Sequence, residues 1–138
     1  MADDFTQCLV SNSRMAARAI TRRYDGYLRP HGLTATQFSL LGAVRLAKMA
    51  TVSDLAEARG FERTTLTRNL DRLEEMGLIA SRAAEKGNGR ICAVTAEGET
   101  LIEKLLPPWR KAQADMRQAL TGEGFETSVK ILKRLAKI

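Results

Sequence analysis

The sequence predicts a mainly α protein carrying one small β-hairpin, and three observations lead to that class. Apolar residues recur at helical spacing along most of the 138-residue chain. One pair of β-prone runs, from Leu78 to Ala80 and from Ile91 to Val94, brackets a polar tip containing two glycines. Immediately before that pair, two short helical patterns meet at Gly60, as in a helix-turn-helix. The length suits a single domain, residues 1–138, with a substantial core.

From Phe5, apolar positions at Leu9, Met15 or Ala16, Ile20, Tyr24, and Tyr27 or Leu28 predict a long amphipathic helix. It should stop near Arg29, because Pro30 restricts the residue before it and Gly32 breaks the chain. At about 1.5 Å per residue it is longer than so small a core needs, so part of its stripe is expected to face a partner chain. Thr34 or Thr36 opens a second helix holding Phe38, Leu40, Leu41, Val44 and Leu46; its nearly all-round apolar character predicts burial. Ser53 is expected to cap a helix over Asp54 to Ala58, with Asp54 and Glu57 favouring its positive end. Arg59, Gly60 and Phe61 then turn the chain into a helix from Glu62 to about Met76, stopped by Gly77.

On that helix Leu66, Leu70 and Leu73 share one side, leaving Thr64, Thr67, Arg68, Asp71 and Arg72 outward. An arginine can donate two hydrogen bonds to guanine O6 and N7, and a threonine reaches a base edge, a thymine methyl or a phosphate. A solvated amphipathic helix would show the same pattern; the hairpin directly behind it decides between the two. Such a hairpin is a wing, and Lys86, Asn88 and Arg90 on it are placed to meet phosphates or the minor groove. Ser53, Arg63 and Thr65 complete the expected DNA-contacting set.

Thr95 caps the next helix, whose stripe runs through Leu101, Leu105, Trp109, Ala112, Met116 and Leu120. Pro107 and Pro108 are expected to kink or break it. Thr121 to Gly124 forms a joint, and Phe125, Val129, Leu132, Leu135 or Ala136, and Ile138 stripe a last helix. A winged helix over residues 34–95 needs neither terminal segment, so residues 1–30 and 96–138 are expected to join two subunits. The basic side of the last helix, Lys130, Lys133, Arg134 and Lys137, would suit a membrane surface only as the lesser alternative to subunit packing, and no membrane partner is expected.

Composition narrows the function. The 22 Lys and Arg against 16 Asp and Glu give a net charge of +6, which favours a polyanionic partner. That surplus lies outside the helix-turn-helix and wing, since residues 53–90 carry seven basic and seven acidic side chains. No apolar run approaches the roughly 20 residues of a membrane span, and the acidic start, Asp3 and Asp4, is unlike a signal peptide, so a cytoplasmic location is expected. One histidine and two distant cysteines, Cys8 and Cys92, make neither a metal cluster nor a disulfide framework, and no metal or cofactor is expected. No nucleophile-base set or phosphate-cradling glycine loop is present, which argues against an enzyme.

The order of elements resembles the multiple antibiotic resistance regulator (MarR) family of winged-helix transcription factors over essentially the whole chain. Gly32-Leu33-Thr34 followed by Gln37-Phe38 and Leu40-Leu41 resembles the family's second-helix opening, and Ser53 to Ala56 its third helix. Thr64 to Arg68, Leu73-Glu74 and Gly77-Leu78-Ile79 resemble its recognition helix and the turn after it, and Val94-Thr95 with Gly98 the close of its wing. The resemblance implies a homodimer on a pseudo-palindromic operator with half-sites about 10 base pairs apart. It further implies repression relieved by a small, often phenolic or anionic, molecule bound between the dimerisation and DNA-binding parts. Arg18, Tyr24, Tyr27, His31 and Trp109 are the candidates for such a pocket. Some relatives respond to cysteine oxidation, for which Cys8 is the candidate, although packing in the subunit contact explains it as well.

The wing departs from the family pattern. The family's Asp-x-Arg pair falls on Lys86 and Asn88, so either Arg90 substitutes after a shift in hairpin register or the wing contributes mainly nonspecific contacts. A winged-helix protein-interaction or architectural module without sequence readout is the competing function.

Overall fold

Two chain-end helices clasp a winged helix-turn-helix in this computed structural model, which describes residues 2–87 and 89–138. A 3-10 turn over Phe5–Gln7 precedes α1 (Leu9–Leu28). The helix therefore starts later than Phe5, because Asp4 accepts from the Thr6 amide and Cys8 adopts extended backbone at the N-cap. Gly32 ends the turn after α1 at φ 107°, a left-handed conformation that a side chain would oppose. α2 (Ala35–Ala47) opens with a capping box in which the Thr34 hydroxyl accepts from the Gln37 amide and the Gln37 side chain accepts from the Thr34 amide. Asp25 of α1 also accepts from the Ala35 amide at 2.7 Å, tying the two helices together.

α3 (Val52–Arg59) corrects the expected cap. Thr51, not Ser53, is the N-cap, and it makes a reciprocal box with Asp54 three residues on. Ser53 lies inside the first turn, exposed. Gly60 closes α3 at φ 68°, and α4 (Arg63–Glu75) follows. β1 (Ile79–Ala83) and β2 (Arg90–Val94) pair antiparallel, with Ser81 opposite Cys92 and Ala83 opposite Arg90. Thr51 adds an isolated bridge to Ile91, which holds the start of α3 against the hairpin.

α5 (Ala96–Leu135) departs from expectation at Pro107 and Pro108, where its backbone stays helical; the break comes at Thr121, at φ 63° and ψ 159°, the start of the expected joint. The prolines strip donors from the carbonyls of Glu103 and Lys104, both exposed residues whose oxygens water can satisfy. At the break the Thr121 hydroxyl accepts from the Gly124 amide, and Arg117 pairs with Glu126 at 2.8 Å while lying 4.3 Å over the Phe125 ring.

The core is apolar and centred on α2. Leu40, Leu41 and Val44 meet Leu66, Leu70 and Leu73 of α4 on one flank and Leu28 and Leu105 on the other, all buried. Leu46 is the exception to the expected burial of α2, at 76% exposed. Gly98 fixes where α5 meets the wing: a Cβ there would lie 2.2 Å from the Leu78 carbonyl oxygen.

Candidate nucleic-acid interface

The three buried leucines of α4 leave its other face to solvent, and Arg63, Thr64, Thr65, Thr67 and Arg68 are all exposed there. Among the described residues none of these five side chains is held by an intramolecular side-chain hydrogen bond or ion pair. Arg63, Thr64, Thr67, Arg68 and Asp71 border an open depression of about 440 Å³. The first two turns of α4 thus present hydroxyls and free guanidinium groups, close to the helix N-terminus whose unpaired amides favour anions. Arg72, further along, is paired with Glu75 at 3.4 Å, an exposed contact of small energetic weight.

The hairpin brings Arg90 somewhere other than the wing tip. Arg90 opens β2 at the foot of the tip, where its Nε donates to the Ser81 hydroxyl at 2.9 Å. Its two terminal nitrogens donate to Asp71 at 2.7 Å and Glu74 at 3.2 Å on α4. The guanidinium is thus held within the chain, tying the wing to α4 and pairing two carboxylates beside the exposed threonines. Lys86 stands exposed at the tip beside Gly87, which turns at φ 79°. Asn88 lies outside the described residues. Sequence reasoning missed Asp71 and Glu74 as the partners of Arg90. The signal was available as two acidic residues one turn apart on the helix preceding a basic strand.

Thr95 closes the wing by two contacts. Its hydroxyl donates to the Gly77 carbonyl at 2.6 Å and accepts from the Gly98 amide at 3.0 Å, linking the end of α4 to the start of α5.

A second concavity, about 740 Å³, opens between α1, α2 and α5 and reaches the turn after α3. Tyr24 and Trp109 line it as expected, while Arg18, Tyr27 and His31 do not. Phe38, Phe61, Arg45 and Arg59 line it too; the sequence did not flag them because they come from three separate elements. The Tyr24 hydroxyl donates to the Gln113 side-chain oxygen, and burial raises the Tyr24 pKa above its ordinary value, with the Arg117 charge opposing. Arg45 is anchored at the rim by Glu99 and Glu103 at 3.7 and 3.9 Å.

The cysteines differ sharply. Cys92 is buried opposite Ser81, as its alternation with apolar residues predicts. Cys8 is exposed, and the Ser11 amide and hydroxyl with the Val10 amide lower its thiol pKa.

Comparison with known proteins agrees with this architecture. The MarR family model matches residues 31–91. The crystal structure of the M. tuberculosis transcriptional regulator MosR in complex with DNA is 35% identical, covers 95% of each chain and superposes with a TM-score of 0.85. A MarR mutant from E. coli complexed with operator DNA is 24% identical over 97% of this chain and 99% of that one; its TM-score of 0.83 speaks for the fold. An uncharacterised HTH-type transcriptional regulator of Bacillus subtilis, YwoH, is 29% identical over 97 residues, 70% of this chain and 71% of its own. Helix order, wing and close similarity to MosR along nearly the whole length together place this chain in the MarR family of transcriptional regulators.

Proposed function

We propose that the protein is a homodimeric, sequence-specific DNA-binding regulator, a repressor released from a pseudo-palindromic operator by a small molecule. The observation that carries the reading is the face of α4, where Thr64, Thr67 and Arg68 are exposed and untied above three fully buried leucines. Such a helix is rigidly seated and chemically free, which major-groove readout requires. MosR, its 35% identical relative, is a transcriptional regulator in complex with DNA.

The dimer follows from the chain ends. Phe5, Leu9 and Val10 at one end are 83%, 70% and 65% exposed, and Ile131, Leu132 and Ile138 at the other are 48%, 56% and 100% exposed. Apolar rows of this extent favour burial against a second copy. The cavity beside Trp109 supplies the effector site. Aromatic walls with Arg45 and Arg59 at its edge suit an aromatic or phenolic anion, and Phe61 carries any displacement straight to the turn before α4.

A fluorescence-anisotropy titration of duplex DNA tests the reading. The Thr67→Ala/Arg68→Ala protein should lose discrimination between selected and random duplexes while still binding DNA in low salt. Equal discrimination by the native and double-variant proteins would overturn it. Binding by the native protein without any sequence preference would favour an architectural role. A second reading rests on the exposed, acid-shifted Cys8: oxidation there releases DNA, and the Cys8→Ser protein should then keep its DNA in peroxide.

A further inference from the structure

We propose that Arg14, Arg18 and Arg22 of α1 form a second, sequence-independent DNA-backbone site that holds another duplex while α4 engages the first; the inference rests on the DNA-binding reading above. The three arginines recur every four residues, so they form one row on the helix, about 6 Å apart per step. All three are exposed, and among the described residues none has an ion-pair partner. The neighbouring arginines behave differently: Arg23 pairs with Asp115, Arg29 with Asp25, and Arg45 with Glu99 and Glu103. The row therefore carries most of the charge surplus in the first 52 residues, where seven basic side chains face three acidic ones.

Position separates this row from the recognition face. Tyr24 and Leu28 turn a different side of α1 toward α5 and the cavity, and α2 packs on both α1 and α4, standing between them. A duplex held on α4 is thus not the natural occupant of the row.

The chemistry selects the occupant. Charges strung over about 12 Å suit an extended polyanion better than a compact anion. Guanidinium groups pair bidentately with phosphate oxygens, and the row contains no lysine. A second copy of the chain offers no matching acidic row: Asp71, Glu74, Glu99, Glu103, Asp115 and Glu126 are already in ion pairs, and the acids outside ion pairs, such as Asp4, Glu57, Glu85, Glu97 and Glu123, are scattered over separate elements. Ser11 and Asp25 share that side of α1 with the arginines, and the exposed apolar side chains beside the row, Val10 and Met15, sit only at its N-terminal end and make no continuous wedge of the kind a bilayer surface would need.

The test is a bridging assay with the full-length chain. Random-sequence duplex is fixed to beads, and capture of a fluorescent random-sequence duplex from solution is measured against salt. The native protein should bridge the two, and the Arg14→Gln/Arg18→Gln/Arg22→Gln protein should lose capture by about tenfold or more at moderate salt while still binding one duplex. The corresponding triple Lys protein should retain most of the capture, which separates charge from folding. Unchanged capture by the Gln protein overturns the proposal. So does dissociation of the Gln protein into monomers, which would make the row a subunit contact, or competition by polyglutamate that matches competition by DNA. Failure of the native protein to bind any duplex would instead overturn the DNA-binding reading together with this one, whereas loss of bridging alone leaves that reading intact.

Discussion

Arg90 at the base of the wing reaches Asp71 on the recognition helix at 2.7 Å, joining two elements separated by 19 positions in sequence. Arg90 is only 25% exposed, and the same guanidinium also holds Glu74 and the Ser81 hydroxyl. The contact fixes the angle between wing and helix and masks two carboxylates that would otherwise repel phosphate.

Replacing Arg90 with alanine should weaken specific DNA binding more than Lys86→Ala does, although Lys86 is the freely exposed cation. The fold should lose about 1 kcal/mol, since Asp71 and Glu74 remain partly solvated. An Arg90→Ala/Asp71→Ala double-mutant cycle in urea denaturation measures the coupling. Additive effects would show that the pair does not act as a unit.

Gly98→Ala should cost about 3 kcal/mol, because its Cβ would meet the backbone oxygen of Leu78 at 2.2 Å and neither strand end nor helix start can yield freely. Gly26→Ala is the control, with nothing within 4 Å of its Cβ and a helical backbone, and should stabilise by about 0.5 kcal/mol. Urea midpoints moving in opposite directions check the pair.

The two residues at the start of α3 separate a cap from a contact. Thr51→Ala should destabilise by about 1 kcal/mol through the lost box with Asp54. Ser53→Ala should stay within about 0.5 kcal/mol of the native protein and act, if at all, on DNA affinity. Thermal denaturation and a duplex titration read the two effects independently.

Tyr24 gives a pH dependence with a definite sign. Its pKa is raised in the folded chain by burial, so the folded state keeps the phenolic proton more tightly than the unfolded chain does. That contribution is complete below the unfolded tyrosine pKa and is lost as pH climbs through the folded one. The stability difference between the native and Tyr24→Phe proteins should therefore shrink from mildly to strongly alkaline solution, measured by denaturation in both.

Much of this was legible from local chemistry. The spacing of Leu66, Leu70 and Leu73 predicted the buried face of α4, and Gly60 and Gly77 predicted its two ends, because periodicity and glycine punctuation act within a few residues. What escaped depends on tertiary contact. Ser53 and Thr51 are both good caps; the hydrogen bonds between Thr51 and Asp54 show which one the chain uses, and the bridge from Thr51 to Ile91 is the tertiary contact that holds it there. Arg90 is expected on the wing as a DNA contact, and its pairing with Asp71 and Glu74 cannot be read locally because it depends on how the hairpin packs on α4. Pro107 and Pro108 are tolerated because the carbonyls they leave unpaired belong to exposed residues, a property of packing and not of the dipeptide.

The central claim is that α4 reads base edges. In vitro selection from a random duplex pool, carried out with the native and Arg68→Ala proteins, tests it most directly. The native protein should enrich an inverted repeat with half-sites about 10 base pairs apart. The variant should relax preference at one position in each half-site, with a cost of about 1–3 kcal/mol at that base pair. Failure of the native protein to enrich any inverted repeat, or an identical consensus from both proteins, would contradict the account.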